Sequence, residues 1–223
     1  MSIYFDYNAT APLKDEARAA MLDALGPPAN ASSVHGFGQA ARHKIETARR
    51  DVARLCSAKP EEVIFTSGGT EANAMALMRG APQIITSTIE HVAVLDNSPQ
   101  AVRVAVDAQG VVDCEALYKA ARNAPEGSLI SIMAANNETG VIQPLAEVIV
   151  IAREFGHWVH SDAVQALGKI DLDFAGLGLD LMSISGHKIG AAAGIGALIQ
   201  REGLASYPRM SGGGQEKNRR PGT

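Results

Sequence analysis

A chain of 223 residues with 46% hydrophobic content can bury one sizeable core, and its composition is neither disordered nor fibrous. Its 20 Lys plus Arg against 24 Asp plus Glu leave a formal charge of -4, too weak a positive field for nucleic acid or an anionic membrane, so a small-molecule partner is expected. The two cysteines, Cys56 and Cys114, fit neither a disulfide framework nor a zinc spacing and read as structural thiols.

Met1 to Asp6 lacks the basic start and apolar stretch of a signal peptide. No apolar run reaches the roughly 18 residues needed to span a bilayer, and the expected location is the cytoplasm. A helix is predicted over Lys14 to Leu25, then an irregular loop from Asn30 to Gly38 and a second helix over Phe37 to Leu55. From about residue 60, short β-branched runs alternate with Ala-rich charged stretches. That alternation predicts an α/β layer fold with a mostly parallel sheet. The expected strands are Val63 to Thr66, Gln83 to Ser87, Val102 to Val106, Ser128 to Ala134, Trp158 to Ser161, Leu181 to Ser185 and Gly196 to Gln200. Helices are expected over Glu71 to Met78, Cys114 to Ala121 and Leu145 to Phe155, the last begun by Pro144. The Gly-rich, basic stretch from Ser211 to Thr223 reads, taken alone, as a polar tail.

Several motifs fall at the carboxyl ends of these strands, where open α/β sheets build their ligand sites. Ser185-Gly186-His187-Lys188 follows an apolar strand and precedes a Gly-rich loop, so small neighbours leave room at the lysine amine. Such an amine forms an imine with an aldehyde cofactor, whose ring then serves as an electron sink. His160 to Gln165 (HSDAVQ) places Asp162 at a strand end, able to pair with the nitrogen of a pyridine ring. Thr66 to Glu71 (TSGGTE) joins strand to helix through two glycines, and its backbone N–H groups with the Ser67 and Thr70 hydroxyls make a phosphate cradle without Walker spacing. His91 can stack on a flat ring or move a proton. Asn136 to Gly140 (NNETG) offers amide donors at the same end of the sheet. No metal site is expected.

These residues resemble those of the class V aminotransferase family of fold-type I pyridoxal phosphate enzymes, and within it the cysteine desulfurases. The matching stretches are Tyr4 to Pro12 (YFDYNATAP), Asn30 to His35 (NASSVH), Phe65 to Asn73 (FTSGGTEAN), Glu90-His91, Asn136 to Gly140, His160 to Gln165, Ser183 to Lys188 (SISGHK), Gly212 to Gly214 and Arg220 to Thr223 (RPGT). The resemblance implies a three-layer α/β/α large domain in which Lys188 carries the cofactor as a Schiff base, Asp162 pairs with the pyridine nitrogen and His91 stacks on the ring. It further implies that Gln165 and Asn137 contact the phenolic oxygen, and that Gly69, Thr70, Ser185 and His187 hold the phosphate. Thr223 would reach the phosphate of a neighbouring subunit in a homodimer. The implied reaction removes sulfur from L-cysteine, leaving alanine and a persulfide that feeds iron–sulfur cluster assembly or another sulfur-acceptor protein.

Against the family pattern, the chain is expected to comprise an arm over residues 1–13 and a large domain over 14–223, without the small C-terminal domain that carries the sulfur-accepting cysteine loop and an arginine for the substrate carboxylate. It is also shorter than usual between Asp96 and Val102. Three readings stay open: a desulfurase, complete or cut short; another class V enzyme, such as a selenocysteine lyase, a C–S lyase or an aminotransferase; and a non-catalytic binding module on the same fold.

Overall fold

The structure, a computed structural model, describes residues 3–27, 29–205 and 210–222. Seven strands form one sheet: β1 (Val63–Thr66), β2 (Ile84–Ser87), β3 (Val102–Val104), β4 (Leu129–Ser131), β5 (Trp158–Asp162), β6 (Leu181–Ser185) and β7 (Gly196–Gln200). Their spatial order is β1-β7-β6-β5-β4-β2-β3, and only β7 runs against its neighbours. β6 and β7 are joined by a Gly-rich loop too short for a crossover helix, which is why that pair is antiparallel. The other strands are parallel, as the alternation of strand and helix predicts.

Seven α-helices are found among the described residues: α1 (Asp15–Ala24), α2 (Gly36–Leu55), α3 (Gly69–Leu77), α4 (Val92–Leu95), α5 (Cys114–Asn123), α6 (Leu145–Glu154) and α7 (Phe174–Leu177). Local chemistry sets their ends. Asp113 accepts hydrogen bonds from Glu115 N and Ala116 N to cap α5, and Asp173 caps α7, which Gly178 ends in the left-handed region at φ 78°. The single-turn helices α4 and α7 are absent from the sequence-based expectation, because four residues are too few to establish a period. Three strands are shorter than expected: β2 begins at Ile84, β3 stops at Val104, and β4 runs from Leu129 to Ser131, after which the chain leaves the ladder for one of the loops that build the site.

Apolar residues cover both faces of the sheet. Ile85, Ile130, Val159 and Met182 face α2, α5, α6 and α7, while Ile64, Leu129, Leu181 and Leu198 face α3. Helices therefore lie on both sides, giving three layers with a sheet between them that is largely buried except at its β3 edge, where Val102 and Arg103 are exposed. Burial of these side chains at about 25 cal/mol per Å² is the dominant stabilising term. The short stretch after α4 closes by turns: Ser98 N donates to Leu95 O at 3.3 Å and Ala101 N to Ser98 O at 3.0 Å.

The C-terminal stretch, expected from its composition alone to be a loose tail, is docked. Glu216 accepts two hydrogen bonds from Arg49 of α2, at 2.7 and 2.8 Å, and one from Phe65 N at 2.9 Å. Arg49 is 3% exposed and its guanidinium also lies over the Phe65 ring. Arg220 pairs with Glu71 at 2.9 Å. Glu216, Lys217 and Asn218 all have positive φ, a run costing roughly 1 kcal/mol or more per residue, which these contacts offset. Cys56, the C-cap of α2, is fully buried with its thiol pushed up to about 12, and burial raises Cys114 to about 11, so neither is a thiolate at neutral pH.

Candidate functional site

The parallel strands end at one edge of the sheet, and the segments that follow β1, β2, β4, β5 and β6 meet there around a cleft of about 560 Å³. Gly69, Thr70, His91, Asn137, Asp162, Gln165, Ser185, His187 and Lys188 all line it. Thr223 lies outside the described residues. Ser67, expected to share the cradle with Thr70, does not line the cleft; its backbone N–H donates to Glu71 Oε2 at 2.6 Å.

Lys188 sits on the 3-10 turn (Gly186–Lys188) that ends β6. Its Nζ donates to the carbonyl oxygens of Asn8 at 2.5 Å and Ala9 at 2.9 Å, so the N-terminal arm crosses the mouth of the cleft. Burial lowers the lysine pKa against the opposing pull of Asp162 and Asp6, which favours the neutral, nucleophilic amine. The arm is fastened alongside by Ala11 N to His187 O at 2.8 Å and Lys14 N to Gly190 O at 2.9 Å.

Asp162 ends β5, is 5% exposed, and accepts from Val164 N at 2.9 Å and Asn73 Nδ2 at 2.6 Å. Burial raises its pKa even though both donors favour the carboxylate. A buried carboxylate of this kind needs a cationic partner, and a protonated pyridine nitrogen in the cleft is one. Beneath it, Glu90 Oε1 accepts from Ser87 Oγ at 2.7 Å and Met133 N at 3.0 Å, while Glu90 Oε2 and Asn73 Oδ1 are buried without a protein partner among the described residues. Burial first, and Asp162 in addition, push Glu90 up to about 8.

The phosphate cradle is the start of α3, a nine-residue helix whose N-terminal N–H groups face the cleft edge at Gly69 and Thr70. Glycine is required at 69: a Cβ there would stand 2.7 Å from Val164 Cγ2 and 3.4 Å from Ser185 Cβ. The residues thus fit a flat, phosphorylated pyridine aldehyde, with an anion cradle at one end, an acid for the ring nitrogen and an amine for the aldehyde.

His91 N-caps α4, its Nδ1 accepting from Ala93 N at 3.1 Å, so Nε2 is the nitrogen left for a ligand. Asn137 reaches the cleft, but its amide donates to Glu138 Oε1 at 2.7 Å. Gln165 Nε2 donates to Asn8 O at 2.9 Å. Asp6, Asn8, Asn73 and Glu90 belong to the site without a role in the sequence reading, although each lies in or beside a stretch singled out there. Asn73 was legible from its place one turn along α3 from Gly69; Asn8 was not, since only the folded arm brings it to Lys188.

A mixed, mostly parallel three-layer sheet with an amine, a buried acid and an anion cradle at its carboxyl edge defines a cofactor-binding α/β domain. The class V aminotransferase model matches residues 3–220, and the chain belongs to that family, whose members use pyridoxal phosphate. An IscS-like cysteine desulfurase of Mycobacterium tuberculosis is 42% identical over 238 residues, covering 99% of this chain and 61% of the relative. The cysteine desulfurase IscS of Dictyoglomus turgidum is 44% identical over 236 residues, covering 99% and 59%. A NifS-like protein from Rickettsia africae superposes with a TM-score of 0.96 at 36% identity, over 100% of this chain and 64% of its own. The chain therefore spans about three fifths of the curated relatives it matches. The alignments are also longer than its 223 residues, so these relatives hold internal segments it lacks.

Proposed function

We propose that this chain is the cofactor-binding part of a pyridoxal phosphate-dependent cysteine desulfurase, acting on L-cysteine in the cytoplasm. The observation that carries the reading is the convergence of Lys188, buried Asp162 and the Gly69–Thr70 helix start on one cleft. When bound, pyridoxal phosphate supplies an electron sink that weakens bonds at a substrate's α- and β-carbons. Lys188 would hold the group covalently through its Nζ, which is also placed to move protons of a substrate. Asp162 would pair with the protonated ring nitrogen. His91 would cover the ring and keep water from it, and Thr70, Ser185 and His187 would bind the phosphate. Support for L-cysteine comes from the desulfurase relatives and from a similar solved structure described as SspA in complex with cysteine, at 32% identity and a TM-score of 0.86.

The resemblance assigns the sulfur-accepting cysteine and the carboxylate-binding arginine to a smaller domain beyond the matched span, and both thiols here are held as inert, protonated groups. By itself the 223-residue chain, an arm over 1–13 and a large domain over 14–223, then binds the cofactor with weak or absent desulfuration. Homodimerisation fits the exposure of Ile3, Phe5, Val34 and Phe37 on the arm and around the start of α2. A sulfur acceptor, in iron–sulfur cluster assembly or a related route, would receive the product.

The test is an absorbance spectrum of the chain with pyridoxal phosphate, before and after borohydride, beside Lys188→Ala. A visible band that reduction traps on Lys188, and that the variant lacks, is the expected result. Its absence from the wild type would end the cofactor reading, and full alanine production from cysteine by this chain alone would overturn the expectation of weak activity.

A further inference from the structure

Beside the cleft, on the turn after β5, stands a second lysine that the function above does not use. Lys169 Nζ lies 2.5 Å from Gln165 Oε1 and 3.0 Å from Asn8 Oδ1. An ammonium group only donates, so both amides must present oxygen to it. Their NH2 groups are thereby turned elsewhere: Gln165 Nε2 to the Asn8 carbonyl oxygen at 2.9 Å, and Asn8 Nδ2 to the Asn137 carbonyl oxygen at 3.1 Å.

That Asn8 carbonyl is also an acceptor for Lys188. One ammonium therefore sets the orientation of two amides and, through them, the position of the arm over the reactive lysine. The turn makes this reach available. Lys169 follows Gln165 by four residues, Lys169 N and Ile170 N both donate to Ala166 O at 3.0 Å, and Gly168 supplies the left-handed step at φ 73°. Gln165 itself is buried, at 9% exposure, so its amide has few ways to satisfy a reversed orientation.

We propose that Lys169 is a positioning residue: by holding the amide oxygens of Gln165 and Asn8 it keeps the Gln165 NH2 group on the cleft side, where one hydrogen goes to the Asn8 carbonyl and the other is left to donate to the anionic ring oxygen of a bound cofactor. The inference rests on the cofactor reading above. Without the ammonium, Gln165 is free to flip and offer oxygen to an oxyanion, replacing attraction with repulsion. The charged and titratable groups that face Lys188 are Asp6 from the arm, Asp162 from β5, His91 at the start of α4, His187 on its own turn, and Lys169. Both the lost donor and the lost positive neighbour favour protonation of the cofactor's chromophore, so the two effects of removing Lys169 share a sign.

The experiment titrates the chain with pyridoxal phosphate and follows the visible band against pH in wild type, Lys169→Met, Lys169→Arg, Gln165→Ala and the double variant Lys169→Met/Gln165→Ala. Lys169→Met is expected to weaken cofactor binding about tenfold and to move the pH midpoint of the band upward. Lys169→Arg, which also only donates, restores both. In the Gln165→Ala background the methionine change should add about threefold or less, because only the Asn8 oxygen and the charge itself remain for Lys169 to act through. Unchanged affinity and midpoint in Lys169→Met, or a loss that is fully additive with Gln165→Ala, would overturn the proposal. If circular dichroism finds Lys169→Met unfolded, Lys169→Gln is read by the same criteria. A wild type without the band removes the cofactor reading and this inference together, whereas a normal band unaffected by the variants removes this inference alone.

Discussion

Asp162 accepts from Val164 N and Asn73 Nδ2 while burial works against its charge. Asn73 Oδ1, buried without a partner, offers a way to accommodate a change there. In Asp162→Asn the Asn73 amide can flip, so that its oxygen accepts from the new NH2 group and the floor of the site stays hydrogen-bonded. The variant is expected to melt no lower than the wild type, since a desolvated charge is gone, yet to bind pyridoxal phosphate at least about tenfold more weakly for want of an anion at the ring nitrogen. Thermal melts beside cofactor titration test this. Equal affinity with equal stability would remove Asp162 from its role. The same residue shows what a sequence can reveal: an Asp after a strand is visible, but its depth and its Asn73 partner are not.

The elements are held to the site edge by a few clamps, of which Arg49 of α2 with Glu216 has the most at stake. Arg49 Nη1 also donates to Val63 O at 2.9 Å, tying helix, edge strand and C-terminal stretch together. Glu216→Ala leaves the Arg49 guanidinium, 3% exposed, with only Glu46 at 3.2 Å and the Val63 carbonyl, and leaves Phe65 N without its acceptor, at an expected cost of about 2–3 kcal/mol. The stretch around residues 212–222 should then become cleavable in limited proteolysis, because the three left-handed residues lose what offsets their strain. Replacing both partners with methionine should recover part of the stability but not the protection. A Glu216→Ala chain as resistant as the wild type would show that another contact docks the segment. Nothing in the order of residues announces this clamp, since its partners are 167 positions apart.

The molecule as a whole carries two buried groups with opposed pH dependence. Glu90, raised from 4.5 to about 8 by burial, keeps its proton when folded but loses it when unfolded, so stability falls as pH rises between those values. His160, which lies 2.8 Å from Ser131 Oγ and 2.9 Å from Ser183 Oγ, is lowered from 6.5 to about 3 by burial. The unfolded chain then binds a proton that the folded one refuses, and stability falls as pH drops from 6.5. Between 4.5 and 6.5 the two slopes oppose each other. Denaturation by urea should therefore show a broad maximum there, with declines on either side approaching ~1.4 kcal/mol per pH unit for each group. Glu90→Gln, which keeps the shape and the neutral charge, should flatten that limb from pH 7 to 8; the same slope in variant and wild type would mean that Glu90 is ionised in the fold.

The sequence alone determined the layer fold and the strands and long helices to within a few residues, because period, turn chemistry and strand-end motifs are local properties written in consecutive residues; of the cleft-lining candidates, those motifs pointed to Lys188, Asp162, Thr70, His91 and Asn137, and the family resemblance supplied Gly69, Gln165, Ser185 and His187. Tertiary structure decided what depends on distance. It reversed β7 between β1 and β6, laid the arm's carbonyls over Lys188, and set Lys169 against Gln165 and Asn8. It also sealed Glu90 and His160 away from water and pinned the C-terminal stretch through Arg49. Each of these turns on burial or on an approach between segments far apart in the chain, and a side chain's charge, tautomer and partner follow from the solvent and neighbours that only the folded chain supplies.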